Sequence, residues 1–339
     1  MVNVQCTNRY DFINLKDNVT FCWTLTEDRD TVAQGAFSPD CAPHTSIPYT
    51  LSLPTLHPDK LAILNVDVKN RKGWTLLKQS FKIEHSTLNI EHSAAHKMAE
   101  TNNGQCSMIN IQSPFVRVGR KASLGELVKV KNQRISRYLQ PVDNKYVKAE
   151  IRQEGATVDY TLTPDTTAKR YLGEVGIAYL LPKEIDRVQW IGQGPFATYP
   201  GRDRANRYGF WAKHKDDLYF EGNHMDIDAC WLSDKEGNGV LISGDSLMLN
   251  FEQTDRGIVV TVNAAVSGMC PKFGASPFGL WSNKMKPMSG SFQLYETKAG
   301  EPLPHLFKAP ASVPAAFRPF YTQYDTYLMK LEDITPKEN

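Results

Sequence analysis

The chain has 339 residues, more than one ordinary domain needs, with 41% hydrophobic and 22% charged residues, the balance of a globular protein. Lys+Arg 39 against Asp+Glu 37 leaves a net charge of +2, which carries no electrostatic footprint for nucleic acid. The absence of any apolar run of about 18 residues excludes a membrane-spanning helix.

The opening residues, MVNVQCTNRYDF, have neither the basic start nor the apolar core of a leader peptide. A bacterial cytoplasm or periplasm both stay open, because an excised piece of a longer protein would look the same. Along the chain the dominant pattern is period two. Val19, Phe21, Trp23 and Leu25 alternate with Thr20, Cys22 and Thr24. Leu64, Val66 and Val68 alternate with Asn65 and Asp67, and Val158, Tyr160 and Leu162 with Asp159, Thr161 and Thr163. Each predicts a strand with one buried face. The string FEQTDRGIVVTV predicts two strands around a tight turn at residues 255–257, and SDKEGNGVLI a polar turn entering a strand. Tyr324, Thr326, Leu328 and Lys330 form one face of a last predicted strand. No long amphipathic helix stands out, and 20 prolines and 22 glycines are spread along the chain as turns in an all-β protein require.

The best boundary is the polar stretch HSTLNIEHSAAHKMAETNNGQ, residues 85–105. It predicts a β-sandwich of immunoglobulin size over 1–86, a linker over 87–105 and a large sandwich over 106–339. Cys6, Cys22, Cys41, Cys106, Cys230 and Cys270 are widely spaced with no CxxC pair, the usage of buried free thiols rather than of a zinc site, with a disulfide between strands left open and its pairing not readable from sequence. No cofactor is implied.

Four places deserve a chemical reading. His92 and His96 stand four apart and would share a helix face, but no Glu follows the first His, so a solvated linker is the simpler account. His224, Asp226 and Asp228 alternate in GNHMDIDACW. On a strand all three would face one side, as a metal or sugar site or as a polar face bonded to a neighbouring loop. The loop KFGASPFGLWSNK carries Phe273, Phe278 and Trp281, which either stack on a sugar ring or fold back on themselves. The fourth is WIGQGPFATYPGRDR, residues 190–204, read as a shaped corner with Trp190 at the end of a core strand. There is no nucleophile elbow, no phosphate loop and no pair of carboxylates in a telling context.

That corner carries a resemblance. Trp190, Gly192, Gly194, Pro195, Tyr199, Pro200 and Arg202 match a pattern W-x-G-x-G-P-x-E-x-Y-P-D-R of the C-terminal β-sandwich of family 2 glycoside hydrolases of the β-galactosidase type. The pattern's Glu is Ala197 here and its Asp is Gly201. Tyr10, Phe12, Trp23, Leu25 and Gly35 resemble the immunoglobulin-like domain that follows the catalytic barrel in this family. The resemblance implies an all-β chain, an immunoglobulin-like sandwich followed by a galactose-mutarotase-like supersandwich. It implies that both catalytic Glu residues lie in a (β/α)₈ barrel N-terminal to these domains. The partners implied are that barrel, a β-linked carbohydrate substrate and, at an interface, further copies of the chain. In the family a loop of the last sandwich presents a Trp to the sugar. Trp281 is the candidate for that role, with Phe278, His224 and Asp226 as further candidate sugar contacts. The family's R-A-P-T-D-N-D string has only SRYLQPVDNKY, residues 136–146, at the comparable place, so galactose specificity does not carry over. Two other functions compete. A free-standing carbohydrate-binding module would use the loop aromatics alone, and a mutarotase-type enzyme would need a Glu partner for His224.

Overall fold

The computed structural model describes residues 1–58, 60–83, 108–109, 111–118, 121–122, 127–129, 136–138, 146–167, 169, 171–203, 205–218, 222–254, 256–267 and 280–300. Among them the chain is all-β. Twenty strands and three short 3₁₀ turns occur, and no α-helix. The linker, His92, His96, Cys106, Cys270, Phe273, Phe278 and the last predicted strand lie outside the described residues. The chain divides into two compact units, Met1–Asn89 with Arg207–Gly209, and Ile90–Asn206 with Phe210–Asn339.

In the first unit, β1 (Val2–Thr7) pairs with β4 (Ser46–Leu51). A second sheet runs β3 (Asp30–Phe37), β2 (Val19–Glu27), β5 (Ala62–Asn70), β6 (Thr75–Lys82), all antiparallel. The alternation seen in the sequence is what packs these sheets. Leu25, Leu64 and Val66 of the larger sheet meet Leu51, Val2, Val4 and Tyr49 of the smaller in one apolar cluster. Burying such a Leu or Val removes its side chain from water and stabilises the fold by about 1.5–3 kcal/mol each. Phe37 stacks between Phe21, at 5.1 Å, and Tyr49, at 3.7 Å. Trp23 and Gly35 face each other across β2 and β3, and a Cβ on Gly35 would sit 2.8 Å from the indole. Gly35 is therefore the gap into which Trp23 folds, which accounts physically for the W…G part of the pattern.

The second unit is built on one twelve-stranded sheet. Its path is β11 (Val147–Glu154), β12 (Thr157–Pro164), β20 (Met288–Thr297), β17 (Gly239–Gln253), β18 (Ile258–Val266), β13 (Tyr171–Leu180), β7 (Ile111–Val118) and β8 (Lys121–Ala122). Off this path, β14 (Arg187–Gly194) pairs with β15 (Arg207–His214) and β16 (Asn223–Ser233), β16 also pairs with β17, and β19 (Leu280–Trp281) pairs with β13. A separate ribbon joins β9 (Leu127–Lys129) to β10 (Ser136–Tyr138). The main core gathers Val158, Ile177, Tyr179, Trp190, Trp211, Ile227, Leu249, Phe251, Val260 and Phe292, so β14 and β16 fold over the central strands as a sandwich. The two strands expected around a turn at 255–257 pair as an antiparallel hairpin, β17 with β18. Gln253 faces Ile258, and Thr254 donates from both its amide (2.9 Å) and its hydroxyl (2.6 Å) to the Gly257 carbonyl. The polar turn between β16 and β17 is held by Asp234. Its Oδ1 accepts from the amides of Glu236, Gly237 and Asn238 at 2.8–2.9 Å, and Oδ2 from the Asn238 side chain at 2.8 Å.

Candidate functional site

The corner at 190–203 is built by β14, β15 and β16. Trp190 is not at a strand end, as the sequence suggested. It lies inside β14 opposite Cys230, and the strand continues to Gly194 because β16 still offers a partner as far as Ile191 and β15 borders the other side. The Trp190 side chain is buried and its Nε1 donates to the Gln193 carbonyl at 2.9 Å. Both glycines answer a close approach. A Cβ on Gly192 would lie 2.4 Å from the Asp226 carbonyl oxygen, and one on Gly194 2.6 Å from the Trp211 ring. Trp211 also donates from Nε1 to the Gly192 carbonyl at 3.0 Å, so the indole is fixed by the strand it crowds. The Gly194–Pro195 peptide bond is cis.

Beyond Pro195 the corner is tied to the sheet by neutral hydrogen bonds. Phe196 donates its amide to Asn206 Oδ1 at 2.7 Å. Asn223, fully buried, is the hub. Its carbonyl accepts from the Thr198 amide (2.6 Å), its Nδ2 donates to the Thr198 carbonyl (2.9 Å), its amide donates to the Tyr199 hydroxyl (3.3 Å), and its Oδ1 accepts from Asn263 Nδ2 (3.0 Å). The Met225 amide adds a bond to Thr198 Oγ1 at 2.7 Å. Tyr199 and Arg202 close a turn in both directions, with Arg202 N to Tyr199 O at 2.8 Å and Tyr199 N to Arg202 O at 3.3 Å. Pro200 and Gly201 fill its middle, and Gly201 has φ +81°, the left-handed value a type II turn needs at that place. Tyr199 is buried, whereas Arg202 is exposed. Asn223, Thr198, Asn206 and Trp211 escaped the sequence reading, because their partners lie across the fold and no local spacing announces them.

His224, Asp226 and Asp228 do not share a face. The β16–β17 register breaks twice, between His224 and Ile227 and between Ile227 and Ala229, and Asp226 takes φ +53°. The first break puts an extra residue into β16 between His224 and Ile227, which resets the alternation and turns His224 inward while Asp226 stays exposed; the second puts its extra residues into β17. His224 is 1% exposed, with its ring 4.5 Å from Trp190 and 5.9 Å from Phe251. Burial first, and the nearby Lys213 charge second, hold its imidazole well below its ordinary range, although the backbone of Gln193 and Phe196 pulls the other way. It is therefore a neutral ring in the core at pH 7. Asp226 is exposed and accepts a 2.7 Å bond from Ser246, itself at φ +51°. Trp281 is half-buried on β19. Its ring meets Tyr171 edge-on at 5.7 Å, and Lys169 Nζ lies 6.0 Å from the ring centroid. Among the described residues no three His, Cys, Asp or Glu side chains group as metal ligands, and no helix is long and apolar enough to cross a membrane.

The corner is thus a wired piece of scaffold, in which Trp190, Gly192, Gly194 and Tyr199 are each fixed by a contact across the fold. A family model described as beta galactosidase small chain matches residues 62–288, more than half of the chain. The chain belongs to the beta galactosidase small chain family. A second model, beta-galactosidase domain 4, matches residues 4–91, which include the Trp23–Gly35 pair. Among curated proteins, a beta-galactosidase of Oenococcus oeni is 31% identical over 77 residues. That alignment takes in 22% of this chain and 8% of the relative, so the chain spans under a tenth of the curated relative it matches. For a member of the small chain family, the candidate sugar contacts are one half-buried Trp and one exposed Asp on separate elements, with Phe278 outside the described residues.

Proposed function

We propose that this chain is the non-catalytic C-terminal part of a β-galactosidase-type family 2 glycoside hydrolase, that it supports the (β/α)₈ barrel N-terminal to it, and that it completes one wall of the sugar pocket. The observation that carries this reading is the small-chain match over residues 62–288. In this reading the chemistry is retaining hydrolysis by two carboxylates of the barrel, and this chain positions the substrate rather than moving a proton. Trp281 is the wall residue. A half-buried indole braced by Tyr171 offers an apolar plane of the kind that packs on a pyranose face. Asp226 supplies a hydrogen-bond acceptor in the same role, and His224 serves as packing for the corner.

The test is complementation. The purified chain is assayed with a nitrophenyl β-galactoside alone, and again after mixing with a barrel-bearing polypeptide that lacks its own C-terminal region. Hydrolysis is expected only in the mixture, and Trp281→Ala is expected to raise KM about tenfold, the size of a lost stacking contact of ~1.4 kcal/mol. Hydrolysis by the chain alone would overturn the non-catalytic reading. Tight binding of galactosides by the chain alone would replace it with a carbohydrate-binding module.

A further inference from the structure

Two cysteines of the first unit lie together without serving the corner or the sugar wall. Cys6 sits on β1 opposite Ile47 with its side chain turned inward, 3% exposed. Cys41 is fully buried with Leu15, Val19 and Val68. The Cys41 Sγ points at the backbone of β1 and its neighbour, 3.8 Å from the Cys6 carbonyl oxygen and 3.4 Å from that of Thr45. Covalent geometry then keeps the two Cα atoms within about 9 Å, against the roughly 4.4–6.8 Å that a disulfide spans. The backbone of Cys41 is held in place, since its carbonyl accepts from Asn8 Nδ2 at 2.9 Å and from the Leu15 amide at 3.1 Å.

We propose that Cys6 and Cys41 are the two halves of a disulfide that forms when the chain meets a small-molecule disulfide such as glutathione disulfide. Burial, and then the neighbouring Cys41, push the Cys6 thiol up, so the closed sandwich keeps Cys6 unreactive. Opening is local. β1 has β4 as its hydrogen-bonded neighbour in a two-stranded sheet, and Asp40, Ala42 and His44 around Cys41 are exposed. In the open state the Cys41 thiolate attacks glutathione disulfide, giving a mixed disulfide and one glutathione thiol. The Cys6 thiolate then displaces the second glutathione as thiol. Two protein thiols are oxidised, one glutathione disulfide is reduced, and the two protein protons end on the released thiols. The bond closes a loop 35 residues long between the first strand and the 38–45 loop, so it restricts the unfolded chain and stabilises the first unit.

The full chain is incubated with glutathione disulfide in buffer, and in parallel in about 2 M urea to open β1, then alkylated and digested without reduction. A Cys6–Cys41 cross-linked peptide is expected in one or both arms, with the Tm of the first unit raised by about 4–8 °C per kcal/mol gained. Cys22→Ser keeps both results and Cys6→Ser loses both. The proposal is overturned if both cysteines are recovered alkylated or glutathionylated in both arms, if Cys41 pairs elsewhere, or if the cross-link lowers the Tm.

Discussion

At the residue scale, glycine and histidine carry the most specific information in the second unit. Gly194 faces the Trp211 ring at a distance no Cβ tolerates, so Gly194→Ala must move the indole and strain its bond to Gly192. The expected loss is about 1–3 kcal/mol, read by urea unfolding. His224 makes a different prediction. Its folded pKa lies well below the unfolded value, so the unfolded chain binds more protons in acid. Stability from keeping the ring neutral is present above the unfolded value of about 6.5 and is lost as pH falls below it. His224→Phe keeps a ring between Trp190 and Phe251 and removes the titration. The slope of stability against pH below 6.5 should flatten in that variant, and an unchanged slope would assign the acid sensitivity elsewhere.

At the element scale, turns and strand ends decide how the alternating segments pair. Asp234 holds three amides of the β16–β17 turn, and Asp234→Ala leaves them to water or unpaired, at an expected cost of about 1–3 kcal/mol and with early amide exchange at residues 236–238. In the first unit Glu27, at the end of β2, is buried and holds residue 57. Its oxygens accept from the His57 amide at 2.6 Å and meet the His57 ring at 2.8 Å. Burial raises its pKa, but the His57 hydrogen bonds together with the His57 and Lys60 charges lower it more, so the net shift is down. A depressed carboxylate stabilises above its unfolded value and loses that contribution as pH falls through the folded one. Glu27→Gln should therefore weaken the first unit at pH 7 and flatten its response below about pH 4.3. Alternation and turn residues made β2, β5, β12 and the β17–β18 hairpin legible in the sequence. The register breaks between β16 and β17 were not, because a register break depends on which strand lies alongside, and nothing in GNHMDIDACW alone names β17.

At the scale of the whole molecule, the two units own separate cores. Leu25, Leu64 and Val66 belong to one, and Trp190, Phe251 and Val260 to the other. Calorimetry should resolve two transitions, with Glu27→Gln lowering one and Gly194→Ala the other. A single transition that both variants lower equally would show that the cores melt together. The same separation gives the proposed complementation its controls. A variant that unfolds the second unit should abolish rescue of the barrel, whereas Trp281→Ala should bind the barrel and raise KM.

By itself the sequence determined the all-β class and, through the corner residues and the Trp23–Gly35 spacing, the family. Both follow from local chemistry, because side-chain alternation and glycine placement are properties of a few neighbouring residues. Only the tertiary structure decided what those residues do. It set Trp190 inside a strand, made Asn223 the hub of the corner, drew His224 into the core and left Asp226 outside, and brought Cys41 to Cys6. Each of these depends on which strand or loop lies alongside, a contact between residues far apart in the chain that no local pattern encodes.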